Sequence, residues 1–223
     1  MQILLVAATQ AEIAPTLAFL EKHLKKEQVI ISITGIGGMC TAYHMAHALH
    51  PEYSKIDIAI NAGIAGSYHT DWALGKVVQV ISERMADLGI EEADGTFKTL
   101  EDIGLVTPNT FPYTEEILCM PAAHIGNFLP TAQGLSVNRV HGYAKSIAAI
   151  RNKFPQADIE TMEGAAFFYA ALHYAKKHKD FRFLALRAIS NHVEPRDKSK
   201  WQISLAIHNL NDILISMLEA LLY

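Results

Sequence analysis

The sequence predicts a single α/β domain spanning residues 1–223, in which a central mixed, mostly parallel twisted sheet is flanked by helices. Two observations lead to this fold class. Short strand-like runs alternate with helix-length segments, and most of the runs are apolar throughout, which is typical of strands buried on both faces. Half of the 223 residues are hydrophobic, so the chain can bury one large core, and no Pro-, Gly- or Ser-rich linker divides it.

The predicted strands and helices follow one another in the order expected for crossover connections. The strands are Ile3–Ala8, Val29–Thr34, Ile56–Asn61, Lys76–Ile81, Gly134–Asn138, Ala157–Thr161 and Phe181–Ser190. The helices between them are Pro15–Lys26, Met39–His50, Arg139–Lys153 and Met162–Lys177. Apolar residues recur at helical spacing from Trp201 to Leu221 and predict a long amphipathic helix. Segment 83–129 has weak periodicity and predicts a loop-rich insertion, a candidate lid over a ligand.

Composition argues against several classes of partner. A formal net charge of −4 gives no basic stripe for nucleic acid. Cys40 and Cys119 form neither a CxxC pair nor a metal spacing, which favours a reducing, cytoplasmic location. The apolar start lacks a basic leader, which indicates a strand rather than a signal peptide. No apolar run approaches the roughly 20 residues of a membrane helix. We therefore expect a small-molecule partner, with no nucleic acid and no membrane.

Polar residues crowd the end of the last predicted strand, where the apolar run 183–186 leads into Arg187, Ser190 and Asn191. Ligands of open α/β sheets lie just beyond the carboxyl ends of the strands. A cation, a hydroxyl and an amide at that edge are therefore candidates for chemistry, with Asn191 as the least expected of the three.

Glu12 follows the first strand and has two interpretations. A carboxylate at this edge of the sheet can act as a general base. Alternatively, Thr9-x-x-Glu12 is a capping box that would start a helix. Pro15 would then lie too deep in that helix to be tolerated easily. This favours a helix that begins nearer Pro15 and a catalytic Glu12 on the turn before it.

Two glycine-rich stretches follow predicted strands. Gly35-Ile36-Gly37-Gly38 resembles a dinucleotide-binding turn, but Cys40 replaces the third glycine and Asp57 opens the next strand rather than ending it. A tight turn that passes close to a ligand is the favoured interpretation. Residues 61–67 are small and contain no arginine, so they predict either one wall of a base-binding slot or a simple glycine turn.

Glu163 begins a predicted helix within an almost wholly apolar stretch. A purely structural explanation is a favourable interaction of the carboxylate with the helix dipole. A carboxylate in such surroundings nevertheless needs donors, and two adjacent sugar hydroxyls would supply them. His44, His47 and His50 fall three apart, but neither HExxH nor a carboxylate partner accompanies them, so a solvated helix face is favoured. We expect no metal and no cofactor.

Taken together, these motifs resemble the nucleoside phosphorylase and nucleosidase superfamily, in the branch that contains methylthioadenosine/adenosylhomocysteine nucleosidases and futalosine hydrolases. The resemblance covers nearly the whole chain. Its anchors are residues 7–12, 33–37, 61–66, 74–78, 160–166 and 187–191. The stretch 162–166 combined with 187–190 is the most specific pair.

The resemblance implies a role for each matching position. Glu12 would activate a water at the anomeric carbon, and Glu163 would grip the ribose hydroxyls with Met162 against the sugar. Arg187 and Ser190 would order the surroundings of the nucleophile and hold the base-recognising side chain. The remaining substrate-binding positions are Gly63, Ile64, Ala65, Val137 and Asn138. Relatives are commonly oligomers, so a homodimer or higher homo-oligomer is expected.

Two departures from the adenine-specific nucleosidases indicate another substrate. Asn191 replaces an aspartate, and an amide offers a donor and an acceptor that match a 6-oxopurine with a protonated N7. Ile64 replaces a serine, and its loop carries none of the arginines that a phosphate dianion needs, so water is the expected nucleophile. Such a site is similar to that of futalosine hydrolases, which release hypoxanthine from futalosine, leaving dehypoxanthine futalosine, in menaquinone biosynthesis.

Three alternatives stay open on the sequence alone. An adenine-specific nucleosidase and a purine-nucleoside phosphorylase share the same overall motifs. A non-catalytic nucleotide-binding module draws its main support from residues 35–38, and it leaves the two carboxylates, Arg187 and Asn191 without a shared purpose.

Overall fold

The apolar runs form one eight-stranded sheet in the computed structural model, which describes residues 1–50, 52 and 55–223. Its strands are β1 Ile3–Ala7, β2 Val29–Ile33, β3 Ile58–Ser67, β4 Val77–Met85, β7 Leu118–Cys119, β8 Thr131–Ser136, β9 Ile159–Thr161 and β10 Arg182–His192; β5 Gly89–Glu91 and β6 Phe97–Thr99 form a separate hairpin. The helices are α1 Ala14–Glu21, α2 Gly38–Ala48, α3 Ala144–Lys153, α4 Gly164–Lys177 and α5 Ile203–Leu222.

Part of the sheet closes on itself. The strand β3 pairs with β10, β10 with β4, β4 with β8, β8 with β9, and β9 returns to β3. Within this ring the β10–β4 and β3–β9 pairs are antiparallel and the others are parallel. The strands β1 and β2 extend the sheet outward from β3, again in parallel. The predicted mixed, mostly parallel sheet is therefore confirmed.

The strand β3 is longer than predicted. The strand was predicted to end at Asn61 and to be followed by either one wall of a base-binding slot or a glycine turn. In the structure, residues 61–67 continue as strand. They do so because β10 pairs with β3 along its whole length, from Ile58 to Ser67. The glycine-turn interpretation was wrong, because residues 61–67 are part of the strand. Glycine within a strand instead marks a place where other groups come close to the backbone. The strand β4 likewise continues past Ile81 to Met85.

The helices begin and end differently from the predictions at several points. The helix α3 starts at Ala144 rather than Arg139. The helix α2 stops at Ala48 rather than His50, and α1 stops at Glu21 rather than Lys26. A 3-10 turn, Gln10–Ile13, precedes α1 and is capped at Thr9. The turn is a separate element, so Pro15 lies in the first turn of α1, where proline is tolerated.

Alternate residues of the central strands face two separate apolar cores. On β1, Leu4 and Val6 belong to the core covered by α2 and α4, whereas Ile3 and Leu5 belong to the core beneath α1 and α5. All four side chains are fully buried. Burial on both faces explains why the run is apolar throughout instead of alternating.

The helix α5 packs one face on the sheet. Its buried residues recur at helical spacing: Ala206, Leu210, Asn211, Leu214, Leu218 and Leu222. Residues 198–222 are nevertheless long and apolar enough to cross a bilayer by length and composition, since an 18-residue window within them has a mean hydropathy of 1.3. The expectation that no segment reaches this length was therefore wrong as stated. Six buried positions on one face identify the segment as the predicted amphipathic helix.

Candidate functional site

A niche opens where β1 and β9 separate along one edge of β3. The strand β1 pairs with β3 only as far as Asn61, and β9 pairs with it only at Gly66 and Ser67. The residues in between keep β10 on their other edge. The turn that follows β1 fills the opening. Most of the predicted site residues therefore gather at the carboxyl ends of β1, β3 and β10, as expected for this class of sheet.

Both carboxylate oxygens of Glu12 are fixed at this niche. Oε2 accepts hydrogen bonds from the main-chain N and the hydroxyl of Thr9, each at 2.9 Å. Oε1 accepts from the main-chain N of Ile64 at 3.2 Å. The capping box that the sequence argument set aside is thus formed, on the short 3-10 turn. It orients the carboxylate and leaves it half-buried, so capping and a role in chemistry are compatible here.

The Glu12 turn is also tied to the C-terminal helix. The buried side chain of Asn211 donates from Nδ2 to the main-chain O of Glu12 at 2.9 Å. Its Oδ1 accepts from the main-chain N of Thr16 at 3.0 Å and from the hydroxyl of Thr16 at 2.6 Å. One amide from α5 therefore holds both the 3-10 turn and the first turn of α1.

Gly63 makes room for Glu12 and Arg187 together. A Cβ at this position would lie 2.9 Å from Glu12 Oε1 and 3.8 Å from Arg187 Cζ. The guanidinium is buried and donates to the carbonyl of Leu186 at 2.9 Å and to the main-chain and side-chain oxygens of Asn61. Glycine in this strand thus leaves room for both charged side chains. Arg187 lies beside the same glycine as Glu12, while its hydrogen bonds go to Asn61 and Leu186.

A β-bulge sets the direction of Asn191. Ile189 pairs with Ala65 and Asn191 with Gly66, so Ser190 is the extra residue of the strand. The Ser190 hydroxyl lies 2.8 Å from Asn191 Oδ1 and 3.2 Å from the carbonyl of Ala65. Asn191 Nδ2 donates to the carbonyl of the next residue at 3.0 Å. The amide is half-buried and keeps one N–H and one acceptor position for a further partner.

Glu163 is positioned by the glycine turn after β2. Its Oε1 accepts a hydrogen bond from the main-chain N of Gly37 at 2.9 Å. Gly37 has a φ of 97°, which is readily adopted only by glycine. A Cβ on Gly38 would lie 3.8 Å from the carbonyl of Met162, so the turn packs directly on this segment. The turn thus holds a protein carboxylate, which refines the prediction that its backbone approaches a ligand.

Met162, Val137 and Asn138 line a groove of about 750 Å³ between α2 and α4. The lining includes Gly38 and Met162, on either side of the contact that holds Glu163, but not Glu12. Val137 is buried in a small apolar cluster, and Asn138 donates from both its main-chain N and its side chain to Asp87, at 2.7 and 3.1 Å. The structure thus places Val137 and Asn138 on the same groove as Met162, and the Asn138 side chain is hydrogen-bonded to Asp87.

Sequence reasoning missed Glu83, which lies on β4 beyond the predicted end of that strand. It is 1% exposed, and burial raises its pKa to about 7. The charge of Glu163 raises the pKa further, while Arg187 and the hydroxyl of Ser136 lower it. The available signal was a polar triplet, residues 82–84, which directly follows an apolar run and is compatible with a strand that continues through it.

Sequence reasoning also missed a buried cluster around Glu160. Its Oε2 accepts from the Tyr68 hydroxyl at 2.9 Å and contacts His141 Nδ1, while Oε1 accepts from the main-chain N of His141 at 2.9 Å. Burial and the neighbouring carboxylate raise the pKa of Tyr68. The cluster fastens the loop after β8 to the strand that leads to Glu163. Among the described residues, no group of three His, Cys, Asp or Glu side chains has metal-site geometry.

Comparisons with known proteins agree with this architecture. The chain is 33% identical over 215 residues to a futalosine hydrolase of Thermus thermophilus, and the aligned region covers 93% of this chain and 91% of that relative. It is 34% identical over 156 residues to a futalosine hydrolase of Streptomyces coelicolor, covering 70% of this chain and 63% of the relative, so the match spans less than two thirds of that protein's length.

Solved structures give the same fold. The 5′-methylthioadenosine/S-adenosylhomocysteine nucleosidase of Neisseria meningitidis, in complex with methylthio-immucillin-A, superposes with a TM-score of 0.76 at 16% identity and covers 98% of this chain and 99% of its own. Residues 7–219 match the phosphorylase superfamily as a whole. With its sheet, its niche and this match over nearly its full length, the chain belongs to the phosphorylase superfamily.

Proposed function

We propose that this protein hydrolyses the N-glycosidic bond of a 6-oxopurine nucleoside, with futalosine as the substrate and hypoxanthine as the released base. The observation that carries the proposal is the setting of Asn191. The bulge places its amide beside Gly66, where a Cβ would lie 3.2 Å from Nδ2, while Ser190 and the following carbonyl hold its two ends. The names of the two curated relatives, which are about one third identical to this chain, support the same substrate.

The Asn191 amide suits a 6-oxopurine leaving group. Its remaining N–H would donate to O6, and its oxygen would accept from a protonated N7. As the bond to the ribose breaks, electrons move into the purine, and these two contacts stabilise the charge that develops there. An exocyclic 6-amino group would instead meet the amide's own donor, so adenine nucleosides are disfavoured.

The two carboxylates divide the remaining work. Glu12, held by Thr9 and Ile64, accepts the proton of the attacking water at the anomeric carbon. Glu163, held by Gly37, has an oxygen left over for the ribose hydroxyls. The ribose passes through an oxocarbenium-like transition state, which both carboxylates favour by their charge.

Water is the proposed nucleophile because the niche offers a phosphate dianion little to bind. Arg187 is buried, and its guanidinium is already engaged by the oxygens of Asn61 and the carbonyl of Leu186. Phosphorolysis needs several charge-assisted donors for the phosphate. The side chain of Ile64, next to Glu12, supplies none.

The decisive experiment is chromatographic detection of free hypoxanthine after incubation with futalosine in phosphate-free buffer. We expect release without phosphate and little adenine from methylthioadenosine. Hypoxanthine release that depends on added phosphate would instead identify a phosphorylase. Adenine release faster than hypoxanthine release would identify an adenine-specific nucleosidase.

We also propose that the protein is a homodimer that uses the exposed side of α2. Large apolar side chains are exposed on α2, with Met39 at 84% and Tyr43 at 71%, and on the turn before it, with Ile36 at 61%. Exposed apolar side chains grouped in this way are typical of an interaction surface. Light scattering coupled to size-exclusion chromatography measures the mass directly, and a monomer at micromolar concentration would contradict the proposal.

A further inference from the structure

Glu83 is a buried carboxylate with an unused oxygen. Its side chain, on β4, lies against Gly134 of β8 and Gly164 at the start of α4, and it is 1% exposed. Oε2 accepts a hydrogen bond from the Ser136 hydroxyl at 2.9 Å, whereas Oε1 has no hydrogen-bond partner. A buried polar atom without a partner is costly, so its retention calls for an explanation.

Two glycines make room for this carboxylate. A Cβ on Gly134 would lie 2.4 Å from Glu83 Oε1, and a Cβ on Gly164 would lie 1.8 Å from the same atom. Any larger residue at either position would displace the carboxylate. Gly164 is the first residue of α4 and directly follows Glu163, so Glu83 rests against the backbone that carries the ribose-binding carboxylate.

The same carboxylate is linked to the start of α4 by hydroxyls. The Ser136 hydroxyl that donates to Glu83 also accepts from the main-chain N of Ala165 at 2.6 Å. The Thr161 hydroxyl accepts from the main-chain N of Gly164 at 3.3 Å and lies 3.5 Å from the Ser136 hydroxyl. These contacts satisfy two of the free N–H groups at the helix N-terminus.

We propose that Glu83 is a positioning residue of this site, which holds the first turn of α4, and with it Met162 and Glu163, in the geometry that grips the ribose. The inference rests on the proposed nucleosidase function. Glu83 acts through Ser136 and the helix start, and it does not itself touch the substrate. Loss of its charge should therefore weaken substrate binding more than the chemical step.

The charges around Glu83 fix the expected pH dependence. Arg187 from β10 faces it and favours the ionised form, and Glu163 at the start of α4 opposes ionisation, while the hydroxyls from β8 and β9 do not titrate. The pKa of Glu83 is raised to about 7, so the carboxylate forms as the pH rises through neutrality. The ionised form accepts the stronger hydrogen bond from Ser136 and interacts favourably with the N-terminus of α4. Substrate affinity should then increase from pH 6 to pH 8.

The test is steady-state hydrolysis of futalosine by Glu83→Gln across this pH range. Glutamine keeps the volume and an acceptor for Ser136 but cannot ionise. We expect KM at pH 8 to rise about tenfold, which corresponds to about 1.4 kcal/mol, with kcat changed much less, and we expect the fall of KM with pH to disappear. Glu91→Gln, on the exposed hairpin strand β5, is the matched control and should keep the wild-type profile.

Two further variants separate positioning from simple loss of stability. Ser136→Ala should raise KM in the same way, and the double variant should be no worse than either single variant, because both act through one contact. A wild-type KM and pH profile in a folded Glu83→Gln protein would overturn the inference, as would full additivity. A variant that only lowers Tm, with KM unchanged at lower temperature, would do the same.

A measurement without substrate keeps this test independent of the proposed function. Amide hydrogen exchange of a peptide covering residues 161–168 should be faster in Glu83→Gln than in the wild type or in Glu91→Gln. Unchanged exchange there would overturn the positioning role. Absence of turnover by the wild-type protein would instead overturn the assigned substrate and leave the exchange result to decide on Glu83.

Discussion

Gly63→Ala tests the role of Glu12 with the addition of a single methyl group. The new Cβ would lie 2.9 Å from Glu12 Oε1, whereas such contacts normally stay beyond about 3.4 Å. The carboxylate oxygen must therefore retreat by about 0.5 Å. Its hydrogen bond from Ile64, now 3.2 Å, would stretch beyond the accepted limit. Because the atom that yields is the tip of a flexible side chain, the fold should tolerate the change.

The displacement sets the size of the expected effect. Misplacing a catalytic group by about 1 Å can cost roughly 10²-fold in rate, so half that distance should cost about tenfold. Glu12→Gln removes the base altogether and should cost about 10²–10⁴-fold. We expect both variants to lower kcat while hypoxanthine binding remains measurable, since neither touches Asn191.

The assay is the initial rate of hypoxanthine release from futalosine at saturating substrate, with circular dichroism to confirm folding. Gly38→Ala is the matched control, because a Cβ there meets only ordinary contacts of 3.7 and 3.8 Å. It should keep kcat within about twofold, since it relocates no carboxylate. A folded Gly63→Ala protein with wild-type kcat would refute the assignment of Glu12 as the base.

Four further results are expected. Asn191→Asp should gain adenine release from methylthioadenosine and lose hypoxanthine release, because a protonated acid can transfer its proton to N7 and an amide cannot; unchanged base preference in a substrate panel would contradict this. Leu214→Ala should lower the free energy of unfolding by about 2–5 kcal/mol in denaturant titration, since it empties a fully buried site. Met39→Lys should convert the proposed dimer to monomer in light scattering. Finally, burial raises the pKa of Glu83 from 4.5 to about 7, so the folded state keeps the proton of this carboxyl to a higher pH than the unfolded state does. The free energy of unfolding of the wild type should therefore fall as the pH rises from about 5 to 7. Glu83→Gln should remove that part of the fall.

Continuous apolarity was enough to predict the central strands, because burial on both faces favours an apolar residue at most positions. The run Ile3–Ala8 became β1 with every side chain buried. The small residues 61–67 were harder, since glycine and alanine are compatible with either a turn or a strand. Only the partner strand β10 decides between the two, and pairing of that kind depends on residues far away in the sequence.

The site residues were predictable as types but not as contacts. Glu12, Glu163 and Asn191 stood out as polar groups at the ends of apolar runs. The groups that donate hydrogen bonds to them could not be predicted, because main-chain N–H groups such as those of Gly37 and Ile64 are present at every residue except proline. The bulge at Ser190 could not be predicted from the sequence either, since it depends on the register between two strands. Glu83 was missed because its strand was predicted to end at Ile81, four residues before its actual end at Met85.

The clasp of Asn211 on the Glu12 turn joins two segments that are 199 residues apart in the chain. The turn therefore reaches its final geometry only after almost the entire polypeptide has been synthesised and α5 has docked. Contacts of such long range form late, because loop closure must come first. Local opening of α5 in the folded protein should also release the turn, so the two behave as one cooperative unit. Inactivation on mild heating should accordingly begin with undocking of this helix, while the ring of strands is still intact.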